Sequence, residues 1–125
     1  ISEMAPPGIE MIIGARVDAV FGPIIMCGLG GVHVEIMKDV AFRSLPVSRK
    51  EAMNMIKDVR SYPLLLGVRS EGSRDIEEVV NTVIKLGSLI LARDDIRDVE
   101  INPLVVNEHG KGVIALDVRI ILTPT

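Results

Sequence analysis

Four polar residues near the end of the chain, Glu100, Asn102, Asp117 and Arg119, interrupt two runs rich in apolar and β-branched residues, 99–106 and 113–122. Side chains alternate between the two faces of a strand, so Glu100 shares a face with Asn102, and Asp117 with Arg119. The polar, glycine-bearing segment 107–112 between the runs reads as the turn of a hairpin. Closure about His109 and Gly110 sets Val106 opposite Val113, Asn102 opposite Asp117 and Glu100 opposite Arg119. Directly opposed residues share a face as well, and the four polar groups therefore converge. One amide and one carboxylate make a hard, oxygen-only donor pair. Such a pair suits Mg²⁺ (or Mn²⁺), which completes its octahedron with water and substrate phosphates. Asn102 and Asp117 thus suggest a site for a metal-bound nucleotide. Glu100 is either a further oxygen donor or the counter-ion of Arg119, and opposition alone favours the ion pair. A solvated sheet face carrying a cross-strand ion pair accounts for the same quartet without any ligand. Pro103 adds a further possibility: it removes a ladder donor and is a candidate bulge that would shift the register.

The rest of the chain has to position that hairpin. Residues 8–17, 23–27, 32–37 and 40–45 are rich in β-branched and apolar side chains and are separated by turn-like clusters. They read as consecutive strands with short connections, hence antiparallel. At Ser48 the pattern changes. Ser48 and Glu51 have capping-box spacing, and Ala52, Met55, Ile56 and Val59 follow at helical intervals, predicting a helix to about residue 60. Tyr62 and Pro63 end it, residues 64–68 are ambiguous, and 69–73 read as a polar loop. Asp75 and Glu78 repeat the capping spacing ahead of a second helix to about residue 92, with Ile76, Val79, Val80, Val83, Leu86 and Ile90 on one face. The mixed-sign cluster 93–98 reads as a solvated connection. Strands, then helices, then strands predict an α+β fold, a mostly antiparallel sheet with two main helices packed on one face. Neither a βαβα alternation nor a G-x-G-x-x-G turn is present, which disfavours a doubly wound parallel sheet.

Composition bounds the function. A chain of 125 residues with 48% hydrophobic and 25% charged residues suits a single globular domain, 1–125, and excludes intrinsic disorder. Fourteen Lys and Arg against seventeen Asp and Glu leave a net charge of −3, and one Tyr, two Phe and no Trp offer little for bases to stack on. Nucleic acid is therefore not an expected partner. The longest apolar run, 24–32, contains three glycines and falls far short of the roughly 20 residues that span a bilayer, so no membrane association is expected. A single cysteine, Cys27, and no signal-like opening segment fit the cytoplasm.

Two blocks of sequence then carry a resemblance. Glu100-Ile101-Asn102-Pro103-Leu104-Val105-Val106 followed by Ala115-Leu116-Asp117-Val118-Arg119-Ile120 resembles the closing hairpin of an ATP-grasp domain. Upstream, Glu3-Met4, Gly8-Ile9-Glu10, Ile13-Gly14, Asp18, Phe21-Gly22-Pro23, the glycines of 28–31 and Val34-Glu35 resemble the same family in order, so that the likeness runs over essentially the whole chain. The ADP-forming acyl-CoA (acetate–CoA) ligases are the nearest match, with the succinyl-CoA synthetase β chain similar in its nucleotide-binding part. This resemblance implies a C-terminal ATP-grasp lobe whose upstream lobe is absent from the chain. It implies that Asn102 and Asp117 ligate the metal, that Glu3 and Met4 form a hinge touching adenine, and that Glu10 lies close to ATP or ADP. It further places Gly30, Gly31 and Glu35 near the phosphates and leaves Arg119 to touch phosphate oxygens or to pair with Glu100. By the same resemblance a CoA-binding, phosphohistidine-bearing domain or subunit is a partner, in a hetero-oligomer, and the fragment alone would be inactive. Three other readings remain: a succinyl-CoA synthetase-like β chain, a noncatalytic regulatory lobe of the kind attached to a protein acyltransferase, and a free-standing α+β interaction module.

Other chemistry-bearing residues read more simply. His33 lacks a second His or Cys at ligand spacing, and His109 falls at the hairpin tip. Cys27 lies in an apolar strand with no base nearby in sequence and reads as a small core residue. The glycines of 28–31 lack a following Lys-Ser/Thr pair and read by themselves as a turn rather than a P-loop.

Overall fold

The structure, a computed structural model, describes residues 9–29, 40–59, 75–107 and 110–123. In chain order its elements are β1 (Ile9–Asp18), β2 (Gly22–Leu29), β3 (Val40–Ser44), α1 (Arg49–Asp58), α2 (Ile76–Ala92), β4 (Ile96–Val106), β5 (Val113–Ala115) and β6 (Val118–Leu122). All pairings are antiparallel, in the order β3-β2-β1-β4, and β5 and β6 follow one another along the free edge of β4. The expected α+β architecture is thus what the chain adopts. The expected strand 32–37, the ambiguous stretch 64–68 and the loop 69–73 lie outside the described residues.

One face of the sheet is covered by both helices. Met11, Ile13 and Ala15 of β1, Ile25 and Cys27 of β2, and Val99, Ile101, Leu104 and Val106 of β4 meet Met55 and Ile56 of α1 and Val79, Val80 and Val83 of α2 in one cluster. Burial of this aliphatic surface is the main force holding sheet and helices together. With few aromatic residues available, the methionines Met11 and Met55, both completely buried, fill the gaps between branched side chains. At the rim, Arg43 pairs with Asp58, joining β3 to the end of α1. Arg49 reaches from α1 to Glu77 at 2.6 Å and to Asn81 at 2.7 Å, so the two helices begin side by side.

Local expectations fail in four places, each for a physical reason. The cluster 93–98 is not simply a connection: β4 starts at Ile96, which is buried, Arg97 is exposed, and Asp98 pairs with Arg16 on one side and Ile121 on the other. Gly28 and Leu29 belong to β2 rather than to a turn, because Gly28 pairs with both Ile12 and Val40 across the ladder. The run 113–122 is two strands, interrupted at Leu116 and Asp117 opposite Asn102 and Pro103. Lastly, Ser48 closes its capping box, whereas the Asp75 side chain makes no cap to its own helix and bonds instead to the segment between β4 and β5.

Candidate functional site

The residues of β1 that avoid the helices are Glu10, Ile12, Gly14 and Arg16, and with their cross-strand neighbours they build the open face of the sheet. One row crosses five strands: Phe42 of β3, Met26 of β2, Gly14 of β1, Glu100 of β4 and Arg119 of β6. The expected register of the closing hairpin is the observed one. Val106 pairs with Val113, and Glu100 pairs with Arg119. Arg119 Nη2 donates to Glu100 Oε1 at 2.9 Å, so the ion-pair alternative for these two is the arrangement present. The arginine is largely exposed and its partner mostly covered, which leaves the remaining guanidinium donors in solvent.

Pro103 does mark a bulge, but on one side only. Along β1 the partner of Met11 is Leu104 while that of Ile13 is Ile101, so Asn102 and Pro103 together face Ile12. On the other side the register with β5 and β6 is the same before and after the bulge, because Leu116 and Asp117 fall out of the ladder at the same level. Two backbone bonds still cross there: Asn102 N–H donates to Asp117 C=O at 3.0 Å and Leu116 N–H to Pro103 C=O at 3.1 Å. The bulge re-aims the β4 side chains, so that core positions 99 and 101 continue as 104 and 106. Asn102 and Asp117, both exposed, line one cleft with Glu100 and Arg119, of about 150 Å³.

This cleft offers an amide oxygen and carboxylates, with no soft ligand. No cluster of three or more His, Cys, Asp or Glu suited to a metal occurs among the described residues. A site of few protein donors suits a cation that retains water and takes phosphate oxygens, and does not suit a fully protein-enclosed zinc or calcium. Of the other expected site residues, Glu10 is exposed on β1 opposite Val105 and does not line the cleft. Glu3, Met4, Gly30, Gly31 and Glu35, together with His33 and His109, lie outside the described residues. Cys27 is fully buried in the core, as its sequence context suggested.

Sequence reasoning missed the floor that continues from the cleft. Glu100 is also a wall of a second groove, about 130 Å³, formed with Gly14, Met26, Phe42, Arg16 and Asp98. Gly14 leaves a bare strip beside Glu100; a Cβ there would make ordinary contacts, 3.5 Å from Val99 O and 3.9 Å from Met26 Cγ. The signal lay in the register between β1 and its two neighbours, which the alternation of any single strand does not reveal.

Comparison with known proteins bears on the family and the fold. Residues 1–122 match the family model described as an ATP-grasp domain. The chain is 44% identical over 123 residues to the ADP-forming acetate–CoA ligase II beta subunit of Pyrococcus furiosus, covering 98% of this chain and 52% of that subunit. It is 43% identical to the ADP-forming 4-hydroxybutyrate–CoA ligase of Nitrosopumilus maritimus, covering 96% of this chain and 17% of that protein. Among solved structures, the dinucleotide forming acetyl-coenzyme A synthetase 1 of Candidatus Korarchaeum cryptofilum superposes with a TM-score of 0.87 at 42% identity, over 96% of this chain and 55% of that one. That structure holds coenzyme A and Mg-AMPPCP, with a phosphohistidine segment pointing towards the nucleotide binding site. The chain therefore spans about half the length of the beta subunit it matches.

Proposed function

The chain belongs to the ATP-grasp family, and from that premise we propose that it is the metal-bearing C-terminal lobe, 1–125, of an ADP-forming acyl-CoA ligase. The observation that carries this reading is the joining of Asn102 to Asp117 by a 3.0 Å backbone bond, with both side chains in one cleft. The donor chemistry fits Mg²⁺: Asn102 would offer its amide oxygen and Asp117 its carboxylate, and the shallow, open setting leaves room for water and phosphate. When bound, the cation supplies positive charge against the phosphate oxygens as charge shifts during phosphoryl transfer. Mn²⁺ would serve as its substitute.

The reaction is the interconversion of acyl-CoA, ADP and phosphate with the free acid, CoA and ATP through a phosphohistidine. The histidine belongs to another domain or subunit, so neither His33 nor His109 takes that role, and this lobe alone is inactive. The CoA-binding, phosphohistidine-bearing partner is part of a hetero-oligomer, a reading supported by the beta-subunit relative and by the phosphohistidine segment of the solved structure. In this arrangement Asn102 and Asp117 hold the metal-bound nucleotide, and Glu100 orients Arg119, whose free donors face the phosphates. Glu10 on the open face lies toward the nucleotide, with Glu3 and Met4 at adenine and Gly30, Gly31 and Glu35 near the phosphates, assignments supported by the family likeness.

Acyl specificity lies outside this lobe. The relatives named for acetate and for 4-hydroxybutyrate are matched at 44% and 43%, almost equally. A cytoplasmic location would fit the use of acyl-CoA and ATP; separately, no helix among the described residues is long and apolar enough to cross a membrane. Titration of the full chain with Mn²⁺ and ADP, followed by paramagnetic line broadening, tests the site. D117N should weaken Mn-ADP binding at least tenfold, and an unchanged titration would remove the metal assignment. A noncatalytic lobe would give no Mn-ADP binding in the complete, partnered enzyme.

A further inference from the structure

Asp75 is the one buried polar or charged side chain among the described residues, with 5% of its surface exposed. It stands at the start of α2, yet its carboxylate is not spent on that helix. Oδ2 accepts the amide of Gly110 at 3.1 Å and the amide of Gly112 at 2.8 Å, thirty-five and thirty-seven residues further along the chain. The Asp75 backbone N–H donates to Asn107 C=O at 2.8 Å, and its own C=O accepts from Glu78 and Val79 to begin the helix. Asn107 N–H in turn donates to Gly112 C=O at 3.1 Å. Both ends of the β4–β5 connection are thereby tied to the one residue that precedes α2.

Gly110 and Gly112 have φ of +86° and +79°, in the left-handed region where L side chains are strained. That backbone turns both amides toward the same acid. The connection they belong to decides how β5 enters the sheet, and a slip of a single residue there would carry Asp117 to the opposite face from Asn102. The register needs such an anchor, because the β5 ladder is only three pairs long and breaks at the level of the bulge.

We propose that Asp75 is the positioning residue of the Asn102/Asp117 pair: by holding Gly110 and Gly112 from the helix layer, it fixes the register that sets the two side chains in one cleft. The inference rests on the metal-nucleotide reading above for its functional meaning, and its structural part is measured separately. Asp75 does not line the cleft that Asn102 and Asp117 share with Glu100 and Arg119.

The test is amide hydrogen exchange in the full chain for D75A, D75N and G112A, with Mn-ADP titration of the same variants. The Asn102 and Leu116 amides, which bond across the bulge, should exchange at least tenfold faster in D75A while the β1–β2 ladder amides keep their rates. D75N retains an acceptor oxygen and should fall between. G112A perturbs the amide rather than the acid, has no heavy atom within 4 Å of its new Cβ, and should shift Asn102 in the same direction. It carries the test with D75N if D75A does not fold. Mn-ADP affinity should drop tenfold or more with the exchange change. Unchanged Asn102 exchange, or acceleration shared equally by β1 and β2 as in general destabilisation, overturns the proposal. So does fast Asn102 exchange with Mn-ADP affinity intact. Should the wild type bind no Mn-ADP while the exchange pattern is as expected, the register anchor stands and the metal reading falls.

Discussion

The two helices begin on nearly the same four-residue signature and use it differently. At α1, Glu51 N–H donates to Ser48 Oγ at 3.1 Å and Ser48 N–H donates to Glu51 Oε1 at 2.8 Å, a closed local box in solvent. At α2 the acid and the glutamate have the same spacing, but Glu78 Oε2 accepts from Asn81 and the Asp75 carboxylate turns to Gly110 and Gly112. What separates them is what lies within reach. Ser48 has only its own helix to serve, whereas Asp75 faces a connection whose left-handed glycines present two amides to one carboxylate oxygen. A charge-assisted bond to each is stronger than a neutral cap, and so the distant partner wins. One signature thus serves secondary structure at α1 and tertiary structure at α2.

The largest effect expected from breaking this contrast is at Asp75. D75A removes two charge-assisted bonds, though water can reach the half-covered turn amides, so the loss should be about 3 kcal/mol. S48A removes one neutral cap at an exposed helix start, for about 1 kcal/mol. Urea unfolding of the two variants, read at constant m, compares them directly. Equal losses would mean that Asp75 is no more than another cap. Smaller again is the cross-strand pair at the site: R119A should alter stability by under about 0.5 kcal/mol, because an exposed ion pair is well screened. A substantial R119A loss would make this pair, rather than Asp75, the anchor of the hairpin.

The same contrast explains which parts of the molecule were legible. Alternation along 99–106 and 113–122 was enough to set Glu100 opposite Arg119, since both strands and their turn are close in sequence. The capping box at Ser48 was legible for the same reason. The one-sided bulge at Pro103 was only half visible: proline announces that the ladder is interrupted, but not against which neighbour. Gly14 and Phe42 joined the open face only through registers between strands whose pairing no local pattern encodes. Asp75 was misread because its spacing satisfies a local rule and its true partners lie thirty-five and thirty-seven residues away. The fold class and the polar quartet are properties of short-range pattern, while the groove floor and the anchor are properties of packing.

Asp18 sharpens the comparison from the other side, because it also takes two turn amides but does so within its own hairpin. Its Oδ2 accepts from Val20 N–H at 2.9 Å and from Phe21 N–H at 3.0 Å, at the surface turn between β1 and β2. The Phe21 and Val20 amides favour the ionised form most, with Arg16 adding a weaker attraction, and together they hold the carboxyl below its ordinary 3.8. A carboxyl lowered in the folded state stabilises the turn above its unfolded pKa, and that contribution fades as pH falls through the lowered value. The β1–β2 turn should therefore keep its amide shifts at Val20 and Phe21 down to about pH 4 and lose them only below it. An NMR titration of the Asp18 carboxyl carbon, with D18N as control, reads the midpoint directly. A midpoint at or above 3.8 would show that the two amides do not prefer the charged form. A low midpoint without change in the Asn102 amide would show that a local turn can open while the hairpin anchored from α2 stays closed.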